Sequence, residues 1–328
     1  SDLLLLEYFQ STHHGSEHVL MEIQICTLGG YDEVGRNMTA VKINDTVVLL
    51  DMGFYMQKIM DFEEEGGHAA KLNWERMINI GIVPDVRRID SWKSQVKAIA
   101  LTHCHFDHIG AVPYLAPLYP HVPIYGTPFT MAVLQRLLED DHHSLRNPLQ
   151  SVRYNKRIRV SDDVEMEFIY VTHSTLQPSF IVLHTPKGVI VYATDFKFDD
   201  HPGVGKKPDY EAIERIGEER VLALVVNSLY SKVEAKTPSE RVARDMLEDT
   251  MLHTANQGSA IVGTCFASHI ARLKSFADFG HKMGREVVFL GRSMKRYVEC
   301  AEEVGLVDFR GVDVLGYGGQ IKKKAPCN

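Results

Sequence analysis

The sequence predicts an α/β protein built in two parts, and three observations carry that prediction. Short apolar strands recur between Met21 and Ala193, several of them stopping at a polar residue. After Asp199-Asp200-His201-Pro202-Gly203 the texture shifts to fully apolar strands alternating with helical stretches, the signature of a parallel sheet. At 328 residues the chain has the length of about two domains. Hydrophobic residues make up 45% and charged residues 24%, which excludes collagen, coiled coil and global disorder. No apolar run reaches the ~18 residues of a membrane span, so no membrane is expected among the partners. Five scattered cysteines (Cys26, Cys104, Cys265, Cys300, Cys327) fit a reducing, cytoplasmic compartment. The net charge of −7 does not mark a nucleic-acid binder. From Val221 onward, however, the chain is slightly basic, which lets a polyanion bind one face.

Taken in order, residues 1–20 read as tag remnants or a disordered segment, with Met21 as a plausible start. Ile23, Ile25 and Thr27 form a strand that runs into the turn Leu28-Gly29-Gly30. Thr39–Ile43 and Thr46–Leu50 flank Asn44-Asp45, a hairpin signal. Residues 55–95 are irregular or helical. Val96–Leu101 is a buried strand that stops at a polar cluster, and Ile109–Leu118 is helical. Ile124-Tyr125, Val164–Val171, Phe180–His184 and Val189–Ala193 are short strands. Val221–Val226, Ala260–Gly263 and Val287–Leu290 are the strands of the second part. Between them lie helices at Glu240–Thr254 and His269–Met283, the latter with Ile270, Leu273, Phe276 and Ala277 at helical spacing. The boundary falls near 215, which gives parts 21–215 and 216–328.

The chemistry concentrates in Thr102-His103-Cys104-His105-Phe106-Asp107-His108, directly after a buried strand. Imidazoles and a carboxylate suit Zn²⁺ and related divalent ions. In an extended segment His103 and His105 point the same way, and a turn at Phe106 brings Asp107 and His108 to a second position, so one segment can serve two metals. His173, Asp195 and Asp51 each follow an apolar strand. Alone, His173 fits a core-edge histidine as well as a ligand, and Asp195 a cap. Asp51 suits a carboxylate that orients a histidine by hydrogen bond.

His103-x-His105-x-Asp107-His108, followed by His173 and Asp195, resembles the ligand set of the metallo-β-lactamase fold. The segments Thr27-Leu-Gly-Gly-Tyr-Asp-Glu-Val-Gly-Arg-Asn-Met-Thr39, Leu50-Asp-Met-Gly53 and Leu101–Gly110 resemble the RNase J family, especially its archaeal members. So do Thr237-Pro-Ser-Glu240, Phe266–Lys274 and Gly291-Arg-Ser-Met294. The resemblance implies an αββα metallo-β-lactamase sandwich carrying an inserted β-CASP α/β domain. It implies one metal held by His103, His105 and His173, a second by Asp107 and His108, and Asp195 bridging them, with Asp51 in support. The metals are expected to be two Zn²⁺, with Mn²⁺ tolerated. His269 matches the substrate-side histidine of a β-CASP motif. Asn227 stands where that domain normally offers a carboxylate. The family's later motifs have no match after Gly318, so a C-terminal part is expected to be absent here.

This donor set supports hydrolysis of a phosphodiester, and the resemblance implies RNA as the substrate. Two divalent ions lower the pKa of a shared water from ~15.7 to near 7 and neutralise phosphate charge. Asp195 would orient the attacking group, Asp107 accept its proton, and His269 bind the scissile phosphate or protonate the leaving oxygen. Ser293, with Arg292 beside it, follows a strand end and is the candidate 5′-monophosphate pocket. Arg272, Lys274, Lys295 and Arg296 are candidates for the RNA backbone. The family implies 5′→3′ exonuclease activity, with endonuclease activity beside it, on single-stranded RNA with a 5′-monophosphate end, and a homodimer. Two alternatives stand beside it. A generic two-zinc hydrolase of thioesters or lactams would not need the second region. A non-catalytic RNA-binding protein would fit Asn227.

Overall fold

The structure is a computed structural model that describes residues 3–8 and 21–316. The chain divides into two compact units. One is 1–170 with 179–194 and 209–230; the other is 231–328 with 171–178 and 195–208.

The first unit contains two sheets. The first sheet follows chain order: β1 (Leu3–Tyr8), β2 (Met21–Gly29), β3 (Met38–Ile43), β4 (Thr46–Leu50), β5 (Val96–Ala100), β6 (Ile124–Gly126) and β7 (Leu149–Ser151). It is antiparallel from β1 to β4 and parallel from β4 to β7. The second sheet contains β8 (Ile158–Arg159), β9 (Glu165–Tyr170), β10 (Ser179–Thr185), β11 (Gly188–Ala193) and β12 (Val221–Val226), in the order β12-β11-β10-β9-β8. Period-two alternation sends Ile23, Ile25, Val41, Val48 and Leu50 of the first sheet into one core with Met166, Phe168, Ile181, Leu183, Ile190 and Tyr192 of the second. All five residues of β4 are buried, so both its faces are covered. The 3₁₀ segment Val86–Gln95 contacts β2 and β4. Helices α1 (Met56–Glu64), α2 (Trp74–Asn79), α3 (Phe106–Ile109), α4 (Val112–Leu115), α5 (Pro128–Asp140) and α6 (Tyr210–Glu218) complete the unit, α5 lying on β6 and β7. The β3–β4 hairpin turns at Asn44, whose φ of 50° is the left-handed conformation such a turn requires.

In the second unit α7 (Glu240–Leu252) packs on α8 (Ile270–Lys282), and α9 (Arg292–Glu303) links the parallel pair β13 (Val287–Leu290) and β14 (Val312–Leu315).

The structure departs from the sequence reading in three places. Leu3–Tyr8, within the segment expected to be tag-derived or disordered, pairs antiparallel with β2 from Leu3↔Cys26 to Tyr8↔Met21; residues 1–2, 9–20 and 317–328 lie outside the described residues. Val221–Val226 belongs to the first unit, because it pairs in parallel with β11 across the crossover helix α6. Ala260–Gly263 is not a strand: no described neighbour pairs with it, and Val262 is 88% exposed.

Candidate metal centre

The histidine-rich loop begins where β5 ends, and the segment after β4 clasps it through main-chain hydrogen bonds. Asp51 N–H donates to Ala100 O at 2.9 Å, Met52 N–H to His108 O at 2.7 Å and Phe54 N–H to Phe106 O at 3.0 Å. Asn37 adds its own N–H to Asp107 O at 3.0 Å. The clasp is close enough to demand glycine at 53: a Cβ there would stand 1.6 Å from Asp107 O.

Side-chain bonds then aim the ligands. Asp51, His103, Thr102 and His108 are all fully buried. The Asp51 carboxylate accepts from Thr102 N–H at 2.8 Å and from the Thr102 hydroxyl at 2.9 Å, and meets His108 Nδ1 at 2.8 Å. That contact leaves His108 Nε2 facing the centre, with Asn37 Nδ2 at 3.1 Å. A carboxylate on the far nitrogen of a ligating histidine fixes its tautomer and raises its basicity. Thr102 Oγ1 lies 3.0 Å from His103 Nδ1, which leaves Nε2 of that ring pointing inward. Burial, and then the Asp51 charge, push the nearby Tyr192 phenol well above its ordinary range, so it stays protonated.

A short bridge positions the remaining two residues. Thr172 and Lys197 pair as an isolated antiparallel bridge, with Lys197 N–H donating to Thr172 O at 2.9 Å. The bridge sets His173 Nε2 3.7 Å from Asp195 Oδ2. Ligand atoms of His103, His105, His173 and Asp195 all lie within 4.8 Å of one another, and so do those of Asp107, His108 and Asp195. Within these sets His103 Nε2 and His105 Nδ1 are 3.1 Å apart, and His108 Nε2 and Asp107 Oδ2 3.5 Å. Neighbouring ligand atoms around a tetrahedral Zn²⁺ stand about 3.3 Å apart, given bonds of ~2.0–2.1 Å. The donor atoms therefore fit divalent ions.

The other expected site residues are more dispersed. His269 is the residue before α8, and its Nε2 sits 3.2 Å from Glu240 Oε2. Asn227 is exposed, and its Oδ1 accepts from Leu229 N–H at 2.7 Å. Arg292 and Ser293 are exposed in the first turn of α9. Arg272, half-buried, binds Glu240 through both prongs of its guanidinium, at 2.7 and 2.9 Å. Lys274 pairs with Asp278 at 2.5 Å and Lys295 with Glu299 at 3.6 Å. Sequence reasoning gave no role to Asn37 or Thr102, although both lie within the motifs it quoted. It also passed over Glu240, in Thr237-Pro-Ser-Glu240.

Comparison with known proteins completes the picture. Residues 31–225 match the profile of the Metallo-beta-lactamase superfamily, and residues 258–319 match that of the ribonuclease J beta-CASP domain. The chain is 42% identical to Ribonuclease J of Pyrococcus abyssi over 92% of its own length and 66% of that protein's. It is 42% identical to Ribonuclease J of Methanocaldococcus jannaschii over 88% of its own length and 64% of that protein's. The chain thus spans just under two thirds of these relatives. A protein of unknown function from Enterococcus faecalis V583 shares the fold, with a TM-score of 0.58 at 18% identity over 93% of this chain and 72% of that one. No described helix is long and apolar enough to cross a membrane. With the profile covering most of the first unit and the histidine-rich loop inside it, the chain belongs to the metallo-beta-lactamase superfamily and carries a match to the beta-CASP domain of ribonuclease J.

Proposed function

We propose that this chain is a metal-dependent ribonuclease that hydrolyses RNA phosphodiesters as a 5′→3′ exonuclease. Its metals are two Zn²⁺, with Mn²⁺ able to replace them. Its substrate is single-stranded RNA with a 5′-monophosphate end, and it works as a homodimer in the cytoplasm. The observation that carries this reading is the convergence of two donor sets that share Asp195. The relatives named Ribonuclease J support the substrate class.

His103, His105, His173 and Asp195 would hold one ion, and Asp107, His108 and Asp195 the other. Bound there, the ions supply Lewis acidity and an activated water near neutral pH. Asp51 and Thr102 hold the rings of His108 and His103 in their working tautomers. Asp107 accepts the proton given up by the attacking group, and Asp195 keeps that group in line with the phosphate. His269 faces the substrate and serves its phosphate or the leaving oxygen. Ser293 and Arg292 receive the 5′-phosphate.

Protein loaded with Zn²⁺ or Mn²⁺ is expected to release labelled mononucleotide from 5′-labelled, 5′-monophosphorylated RNA. The His103→Ala/His105→Ala variant should release none while keeping its circular dichroism spectrum; turnover by that variant rejects the assignment. A 5′-hydroxyl RNA degraded at the same rate removes the phosphate pocket. A second reading, RNA binding without catalysis, draws on the neutral amide of Asn227. Tight RNA binding with no product at any metal concentration would favour it.

A further inference from the structure

Glu240 is a buried acid, 3% exposed, at the first position of α7, and its carboxylate stands between two basic side chains. Arg272 donates to it through Nε at 2.7 Å and Nη2 at 2.9 Å, and His269 Nε2 lies 3.2 Å from Oε2. Burial opposes ionisation of this carboxyl, but the Arg272 and His269 contacts outweigh it and hold the group down to about 2.

The acid is anchored from its other side as well. Its backbone N–H donates to Asp199 Oδ2 at 2.7 Å, and Ser239 Oγ donates to Asp199 Oδ1 at 2.5 Å. Asp199 lies on the same segment as Asp195, and its own N–H donates to the Thr172 hydroxyl at 3.1 Å, next to His173. A continuous line of hydrogen bonds thus runs from the segments that carry His173 and Asp195, through Asp199 and Glu240, to His269.

Resting on the nuclease reading, we infer that Glu240 is the positioning residue for His269: it holds the ring with Nε2–H toward its carboxylate and leaves Nδ1 to serve the substrate. The His269 side chain does not cap its own helix. A proton taken up at Nδ1 forms an imidazolium whose charge the Glu240 carboxylate balances. Delivery of that proton to the leaving oxygen returns the neutral ring with its hydrogen still on Nε2. Arg272 keeps the carboxylate ionised and fixed in plane, a task a bidentate guanidinium performs and a lysine does not.

A packing role for Glu240, joining α7 to α8, predicts something different, and a double-mutant cycle on RNA cleavage separates the two. Glu240→Gln is expected to lower kcat about tenfold or more with KM within about threefold, as for other groups that orient an active residue. His269→Ala should lower kcat about 100-fold. The combined variant should be no slower than His269→Ala alone. Losses that multiply, or an unchanged kcat in Glu240→Gln, overturn the inference. Glu240→Asp keeps the charge opposite Arg272 but shortens the reach, so the same cycle run with it decides the matter if the amide variant melts. Wild-type protein that releases no product with Zn²⁺ or Mn²⁺ overturns the nuclease reading itself, whereas an active wild type with a multiplicative cycle overturns only the role of Glu240.

Discussion

Asp51 combines two unusual properties, a left-handed backbone at φ 59° and complete burial, and both follow from its work. The backbone turn frees its carboxylate to meet Thr102 and His108 at once, and aspartate and asparagine are among the few residues that adopt this conformation at low cost. Asp51→Asn therefore preserves the turn and removes only the charge behind His108. The expected result is a divalent-ion affinity weaker by about 10–100-fold, measured by calorimetric titration of Zn²⁺, with little change in the unfolding midpoint. An affinity equal to wild type would show that the carboxylate does not tune the histidine. The sequence revealed this residue through its placement at a strand end. It did not reveal Thr102 or Asn37, because an uncharged side chain that bridges two partners is indistinguishable in sequence from one that only turns the chain.

Strands and turns show the same division between what local pattern dictates and what pairing decides. The β3–β4 hairpin was legible because Asn44-Asp45 sits between two apolar runs, and the end of β5 because a polar cluster breaks a buried strand. Val221–Val226 was legible as a strand but not as the partner of β11, since any apolar run can join either of two sheets and only the α6 crossover settles which. Ala260–Gly263 has the composition of a strand and lacks a described partner, so it does not become one. The Asp51–Phe54 segment is a connection whose importance comes from its neighbour. Gly53→Ala is expected to push Asp107 away from the centre, since the new methyl group would fall 1.6 Å from its carbonyl oxygen. The variant should lose about 1–3 kcal/mol of stability or more, the range seen when a packed site is overfilled. It should also bind fewer metal equivalents, by urea unfolding and elemental analysis. Wild-type metal content in a stable Gly53→Ala protein would contradict the clasp.

Across the whole molecule, several carboxyls are held below their ordinary range by fixed cationic or amide partners. Burial opposes ionisation in Glu33, Asp199, Glu240 and Asp278, but Arg36, the Ser239 hydroxyl with the Glu240 amide, Arg272, and Lys274 respectively prevail. A carboxyl with a depressed folded value contributes stability that is complete above its unfolded value and is lost as pH falls through the folded one. With Glu240 moved from 4.5 to about 2, that window runs from about pH 4.5 downward to about 2. The urea midpoint should accordingly stay level near neutrality and fall steadily below about pH 5. Replacing Glu240 by Gln should flatten the slope, with the gap between the two proteins closing as the medium becomes more acidic. A midpoint that holds constant down to about pH 3 would mean these pairs are not differentially ionised on folding.

The clasp around the histidine loop is made of peptide groups, and point substitution leaves peptide groups in place. Outside Gly53, where any side chain would strike Asp107 O, the path of the chain there is accordingly insulated from drift in the side chains it carries. Exchanging Met52 or Phe106 for another apolar residue leaves the cradle standing, while adding or deleting one residue anywhere along it shifts every rung and scatters the donors together. A lineage can thus explore new reactivity at these positions one amino acid at a time without rebuilding the frame.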